Sequence, residues 1–334
     1  MTFDERLTAF IKLGEQLRTI SESRLDDWYF RATGFNNWFT RESVAQAIAA
    51  LGNMLKADKL DEWTSRYPKQ DDSSKTVGLV MAGNIPLVGF HDFLSVLISG
   101  YKIVAKLSSQ DPFLPQQLAD MLIQIQPAFE ARIKLTTDQI KGFDAVIATG
   151  SNNSARYFHQ YFSKYPHIIR KNRSSVAIIT GDETTAQIES LAHDMFQYYG
   201  LGCRNVSKLL VPYSYDFTPF IKILEDFNNL SDHHKWVNNY DYNKSIYLVN
   251  GEPHFDSGAF LLKESAQWVS PISVIYYEFY NSEEALHKLL AENEELIQCK
   301  VGLAPSFVDF GKAQQPELWD YADGVDTMAF LMDI

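Results

Sequence analysis

Apolar residues recur at helical spacing over roughly the first 66 positions, with Phe3, Leu7, Phe10, Ile11 and Leu17 in phase, and Thr40 can cap a second helix through VAQAIAALGNML. An all-helical lead-in follows from this. After a polar stretch over residues 68–75 the pattern changes, with TVGLVMAG reading as a strand, PLVGFHDFLSVLISG as a helix and KIVAKLSS as a strand. A helix in FLPQQLADMLIQI and a buried strand in FDAVIATG come next. A second strand–helix–strand set runs from SSVAIITG through AQIESLAHDMFQYYG to SKLLVP. Beyond it lie a helix in FTPFIKILEDFNNL, a strand in KSIYLVN, the runs GAFLLKES and ISVIYYEFY, and a helix in SEEALHKLLAENEEL. Strands alternating with helices imply a parallel sheet covered on both faces. Ligands on such sheets bind at the carboxyl ends of the strands, where the polar turns GNIP, KLSS and TGSN collect. No internal repeat or flexible linker separates the two sets. The two domains expected from them therefore interlock: residues 1–180 with 316–334, and residues 181–315.

Composition narrows the class. With 46% hydrophobic and 13% aromatic residues in 334, the chain can build a sizeable core and disorder is not expected. A formal charge of −12 argues against non-specific attraction to nucleic acid or an anionic membrane; Arg170, Lys171 and Arg173 are the best candidate for a local basic cleft. No window reaches 18 consecutive apolar residues, and the acidic, amphipathic start MTFDERLTAFIKLGEQL does not resemble a signal peptide, so a cytoplasmic location is expected. None of the eight histidines forms HExxH or H-x-H, so no metal site is expected; His91 and His193 read as structural, and His233 and His234 as a satisfied surface pair.

Two cysteines are no disulfide framework, and neither belongs to a CxxC pair. Cys299 lies in the strand-like LIQCKVGLA and reads as core. Cys203 is different, because it follows Gly-Leu-Gly and precedes Arg204 where a helical pattern gives way to a strand. A turn there could lower a thiol pKa through backbone N–H groups and a cation. On those neighbours alone, a reactive and an inert thiol both fit.

The turns AGNIPL, VAKLSS, TGSNNS and GLGC, in this order and at these separations, resemble the oxyanion, ribose, pyrophosphate and cysteine turns of the aldehyde dehydrogenase superfamily. The resemblance spans Thr76 to about Leu303. It is closer to the acyl-CoA reductases typified by the fatty-acid reductase component of bacterial luciferase systems, which NNWFT in the lead-in and YADGVDTMAFL near the C-terminus also resemble. It implies an α/β fold of aldehyde dehydrogenase type, with a helical N-terminal lead-in and a Rossmann-type cofactor domain interlocked with a smaller α/β catalytic domain.

The same resemblance implies site residues. Cys203 becomes the nucleophile, and Asn84, with the Cys203 N–H, the donor to the oxyanion; a turn residue before proline is the alternative for Asn84. Gly150 and Ser151 open a helix facing the cofactor pyrophosphate. Lys106 and Ser108-Ser109 lie at the adenosine ribose. Ser109 stands where many NAD-using relatives carry an acid, which favours NADPH, with NADH also tolerated. Gln267 takes the place of a glutamate that holds the nicotinamide ribose. Hydrolytic relatives carry a water-activating glutamate where this chain has Arg170, in Arg170-Lys171-Asn172-Arg173-Ser174. Without that base an acyl-cysteine persists until a thiol such as coenzyme A or a hydride takes it. A phosphate contact and a solvated edge are both open for the basic side chains. The activity implied is NAD(P)H-dependent reduction of an acyl thioester, carried by coenzyme A or acyl carrier protein, to an aldehyde. An acyltransferase or thioesterase stage using the same cysteine, and a non-catalytic binding protein on a degenerate fold, are the alternatives. A homodimer is left open.

Overall fold

The lead-in is helical, as the spacing of its apolar residues predicts, but it holds four helices, and Thr40 caps the third rather than the second: α1 (Phe3–Arg18), α2 (Glu22–Thr33), α3 (Arg41–Met54) and α4 (Ala57–Thr64). Thr2 closes a capping box with Glu5 on α1, and Thr40 caps α3, so N–H groups that a helix start leaves unpaired are satisfied locally. In-phase residues such as Phe10, Leu13, Leu17, Trp28, Ile48 and Trp63 are buried together. The computed structural model describes residues 1–225 and 228–334. It divides into two compact units, Met1–Asn172 with Glu317–Ile334, and Arg173–Pro316.

Behind the helices, the first unit continues through β1 (Thr76–Val80), α5 (Phe90–Ile98), β2 (Lys102–Lys106), α6 (Phe113–Ile125), β3 (Ile133–Thr136), β4 (Ala145–Thr149), α7 (Asn152–Phe162) and β5 (His167–Arg170). Among the described residues these strands form one parallel sheet in the order β3-β2-β1-β4-β5. The chain steps outward from β1 to β3 and then crosses back to lay β4 on the other side of β1. That reversal is a topological switch point, where side chains beyond the strand ends leave a crevice. β1, β2 and β4 are the expected strands. β3 and β5, four residues each, were not expected: they form the sheet edges, and their polar Lys134, Thr136, His167 and Arg170 blur the apolar signal. The last helix, Thr327–Met332, buries Met328 and Leu331 in this unit's core.

The second unit runs through β6 (Ser174–Ile178), α8 (Thr185–Phe196), β7 (Val206–Pro212), α9 (Phe217–Leu224), α10 (His234–Asn250), β8 (Phe255–Asp256), β9 (Leu261–Glu264), β10 (Val274–Tyr280), α11 (Glu283–Glu292) and β11 (Ile297–Val301). Its sheet has the order β11-β6-β7-β10-β9-β8, parallel except where β8 meets β9. The expected strand KSIYLVN is instead the end of α10. Trp236, Tyr240, Asn243 and Tyr247 are buried at spacings of four and three, a helical stripe, and Gly251 at φ 64° ends the helix in the left-handed region. The expected helix FTPFIKILEDFNNL is seen as α9; Asp226 and Phe227 of that stretch lie outside the described residues. Among the described residues, no helix is long and apolar enough to cross a membrane, and no cluster of three or more His, Cys, Asp or Glu could hold a metal.

Candidate active site

Strand register aligns the first unit's turns. Val80, the last residue of β1, pairs with Lys106 on one side and Ala148 on the other, so GNIP, KLSS and TGSN leave the same edge at the same level. Asn84 is half-buried in the turn between β1 and α5. A Cβ on Gly83 would stand 2.7 Å from Cβ of Ser108 and 3.0 Å from the Asp111 nitrogen, so only glycine lets these two turns interlock. Asp111 is buried and holds both ends of the junction: Leu87 N–H donates to Oδ2 at 2.9 Å and Leu114 N–H to Oδ1 at 3.3 Å. Leu87 sits at φ 59°, a cost that this hydrogen bond offsets. Burial pushes the Asp111 carboxyl up to about 7 against the pull of those N–H groups.

Lys106 and Ser108 are half-buried and Ser109 is exposed. Ser108 Oγ accepts from Gln110 N–H at 3.2 Å, an ordinary serine turn. Ser151 is exposed and caps α7, its Oγ accepting from Ser154 N–H at 3.2 Å. A Cβ on Gly150 would stand 2.9 Å from Ser154 Cβ and 2.8 Å from the Phe158 ring, so glycine is needed for the chain to crease over the first turn of α7. A helix N-terminus behind a glycine crease, beside a switch point, fits a dinucleotide pyrophosphate. Asn84, Lys106, Ser108, Ser109, Gly150 and Ser151 thus share one edge of one sheet.

Cys203 belongs to the second unit. Beyond α8, Tyr198, Tyr199 and Gly200 have φ of 52°, 56° and 68°, three left-handed residues in succession that turn the chain sharply into the cysteine loop. Asn205 holds that loop. Its Nδ2 donates to the carbonyls of Asp194 at 3.1 Å and Gln197 at 2.8 Å, and its Oδ1 accepts from Gly202 N–H at 2.8 Å, so one buried amide both closes α8 and shapes the turn carrying Cys203. Ser175 of β6 donates from Oγ to the Cys203 carbonyl at 3.1 Å and lies 2.9 Å from Cys299 Sγ. Arg204 Nε donates to the Ala313 carbonyl, and Asp194 accepts from Gly311 N–H at 2.6 Å and Ala313 N–H at 2.9 Å. Burial pushes the Asp194 carboxyl up to about 6. Cys299 does lie in a strand, β11, yet it is half-buried rather than core, as is Cys203.

Gln267 is exposed in the loop between β9 and β10, where its Oε1 accepts from Tyr276 OH at 3.4 Å. The neighbouring Trp268 fastens that loop to β7: its carbonyl accepts from Ser207 Oγ at 3.1 Å, and the ammonium of Lys208, paired with Glu278, lies 4.6 Å from its ring centroid.

Two readings are corrected. Arg170, at the end of β5, is buried and pairs with Asp92 of α5, while its Nη2 donates to Thr327 Oγ1 at 2.9 Å. It neither contacts phosphate nor lines a solvated edge, because a desolvated guanidinium must be paired. Arg170 is therefore not available to the expected basic cleft; Lys171 is exposed, and Arg173 donates to the Ile297 carbonyl at 3.1 Å. His233 is buried, not on the surface; it precedes α10, with its ring stacked on His234 at 5.3 Å and packed on Tyr199 at 4.3 Å. His91 is structural as read, its Nε2 2.9 Å from the Leu318 carbonyl. Asn36, Asp111, Ser175 and Asn205 support the turns and were not anticipated. Asn36 lay in the NNWFT stretch, but nothing local tells a supporting amide from a surface one.

The model of the acyl-CoA reductase (LuxC) family matches residues 15–218, which include Asn84, Lys106, Gly150, Ser151 and Cys203 but not Gln267. Long-chain acyl-protein thioester reductases of Photorhabdus laumondii and Aliivibrio fischeri are 24% and 25% identical over 162 residues, 43% of this chain. The match spans 34% of each of those relatives, about a third of their length. Among solved structures, glyceraldehyde-3-phosphate dehydrogenase GapN from Methanocaldococcus jannaschii complexed with NADP is similar with TM-score 0.65 and 13% identity, over 94% of this chain and 78% of that one. Aldehyde dehydrogenase 21 from Physcomitrella patens is similar with TM-score 0.67 and 13% identity, over 100% and 84%. A Mycobacterium tuberculosis aldehyde dehydrogenase complexed with NAD+ gives TM-score 0.63 and 15% identity, over 94% and 75%. At such identities the likeness is one of fold, and the fold is that of the aldehyde dehydrogenases.

Proposed function

Since this chain belongs to the acyl-CoA reductase (LuxC) family, we propose that it reduces a fatty acyl thioester, on coenzyme A or an acyl protein, to the aldehyde at the expense of NADPH. The observation that carries the reading is that the family match spans residues 15–218, a range that includes the turns bearing Asn84, Lys106, Gly150 and Cys203. In this reading the Cys203 thiolate attacks the thioester carbonyl. Asn84 Nδ2–H and the Cys203 N–H stabilise the oxyanion, which collapses to expel the carrier thiol and leave an acyl-cysteine. Lys106, Ser108, Ser109, Gly150, Ser151 and Gln267 hold the nicotinamide dinucleotide, which when bound supplies a hydride to the acyl carbon. The thiohemiacetal oxyanion that this leaves on Cys203, again held by the Asn84 Nδ2–H and the Cys203 N–H, collapses with cleavage of the C–S bond, releasing aldehyde and regenerating the Cys203 thiolate. By the resemblance Arg170 stands where hydrolytic relatives carry the glutamate that activates water, and a guanidinium, which stays protonated, cannot serve as that base.

The test is to mix the protein with acyl-CoA in the absence of nicotinamide and measure its mass. An acyl adduct on Cys203, abolished in Cys203→Ala and discharged as aldehyde on adding NADPH, is expected. An adduct that persists in Cys203→Ala, or that maps to Cys299, overturns the mechanism.

A further inference from the structure

The geometry assigns Asn36, in the turn that ends α2, a role as the positioning residue of the Asn84 turn; the assignment rests on the donor role proposed for Asn84. Asn36 is 5% exposed, and its Nδ2 donates to the Gly83 carbonyl at 3.1 Å across 47 residues of sequence. Its Oδ1 accepts from Trp38 N–H at 3.1 Å. Only one orientation of the amide satisfies both partners, so the donor is aimed by the turn around it. The Gly83 carbonyl and the Asn84 N–H belong to the same planar peptide unit, so fixing that oxygen fixes the plane from which the Asn84 side chain projects.

The turn needs such a restraint. Gly83 is glycine because any side chain would strike Ser108, and the residue that makes room is also the one with the widest backbone freedom. Asp111 restrains the far end of the turn at Leu87, and Asn36 restrains the near end at Gly83. Asn84 lies between the two. A side chain that must meet charge appearing only in a transition state gains from a backbone held on both sides, since its reorganisation is then completed during folding. A displacement of about 1 Å in such a group can cost about 100-fold in rate.

A double-mutant cycle tests this, using Asn36→Asp and Asn84→Ala. Asn36→Asp keeps the acceptor for Trp38 and replaces the donor by an oxygen facing the Gly83 carbonyl. Turnover of acyl-CoA with NADPH is measured, and Asn36→Leu is run beside Asn36→Asp, because a buried carboxyl can regain a donor by protonation and a leucine cannot. Asn84→Ala is expected to lower kcat about 100- to 1,000-fold, with KM changed much less. Asn36→Asp is expected to lower kcat at least about 10-fold with KM within about twofold, and to cause no further loss when added to Asn84→Ala. Equal fractional losses in both backgrounds, or normal kcat in folded Asn36→Leu, overturn the positioning role while leaving Asn84 as donor. Normal kcat in Asn84→Ala instead removes the donor role, and the positioning role with it. Should Asn36→Asp fail to fold, Asn36→Ser runs the same cycle with the same readings.

Discussion

Asp111 makes the chemistry of a single side chain visible in the stability of the fold. Its carboxyl is raised from 3.8 to about 7 because burial penalises the charge more than the N–H groups of Leu87 and Leu114 reward it. The folded state therefore prefers the protonated form. The stability this group contributes is fully present below about pH 4 and is lost as pH rises through about 7, by about 4 kcal/mol over the window. Asp111→Asn cannot ionise, so the thermal midpoint of wild type should fall relative to that of the variant between about pH 4 and 7. Parallel midpoints across that range would show that Asp111 is charged throughout. Asp194, raised to about 6 for the same reason, works in the same direction below the cysteine loop.

At the level of elements, the turn after β2 is where the proposed preference for NADPH can be tested. Lys106 closes the strand, Ser108 is tied into the turn by its own hydrogen bond, and Ser109 is exposed at the tip beside the switch point. A 2′-phosphate can accept a hydrogen bond from a serine hydroxyl and is partly neutralised by a nearby lysine, whereas a carboxylate repels it. Ser109→Glu should therefore shift the ratio of kcat/KM for NADPH over NADH toward NADH, as measured with both coenzymes in both proteins. An unchanged ratio would mean that this turn does not read the phosphate. The exposure of Ser109 makes the substitution tolerable to the fold, so a change in the ratio reports recognition rather than damage.

Across the first unit as a whole, Arg170 joins segments that are far apart in the chain. It binds Asp92 on α5 and Thr327 on the last helix, and the atoms Arg170 Nε and Asp92 Oδ1 have no hydrogen-bond partner among the described residues. A buried pair of this kind contributes little net stability, yet removing one member leaves the other charged and unpaired. Asp92→Ala should lower unfolding stability by about 3–5 kcal/mol, measured by denaturant titration. A loss under about 1 kcal/mol would show that the guanidinium finds water or another partner in the variant.

Much of this architecture was legible from local pattern. The helical spacing of the lead-in, the buried runs of β1, β2 and β4, and the glycines around Cys203 each reflect a periodicity or a backbone requirement confined to a few neighbouring residues. What those residues meet across the chain was not legible. KSIYLVN carries a strand-like run, but its buried stripe is set by residues from Trp236 onward, and packing keeps it helical. β3 and β5 take their identity from the strands they border, because an edge strand is stabilised by its neighbour's hydrogen bonds more than by its own apolar content. Arg170 in sequence is one of three basic residues, and only the arrival of Asp92 and Thr327 turns it inward. Likewise Asn36 is one polar residue in a turn until folding brings Gly83 to its amide. The lead-in helices, the strands β1, β2 and β4 and the turn before Cys203 follow from short-range sterics and amphipathic period, which neighbouring residues carry on their own. Which charges are paired and which amides support a turn follows instead from contacts across the fold, because the energy of a desolvated polar group depends on partners that sequence neighbours do not supply.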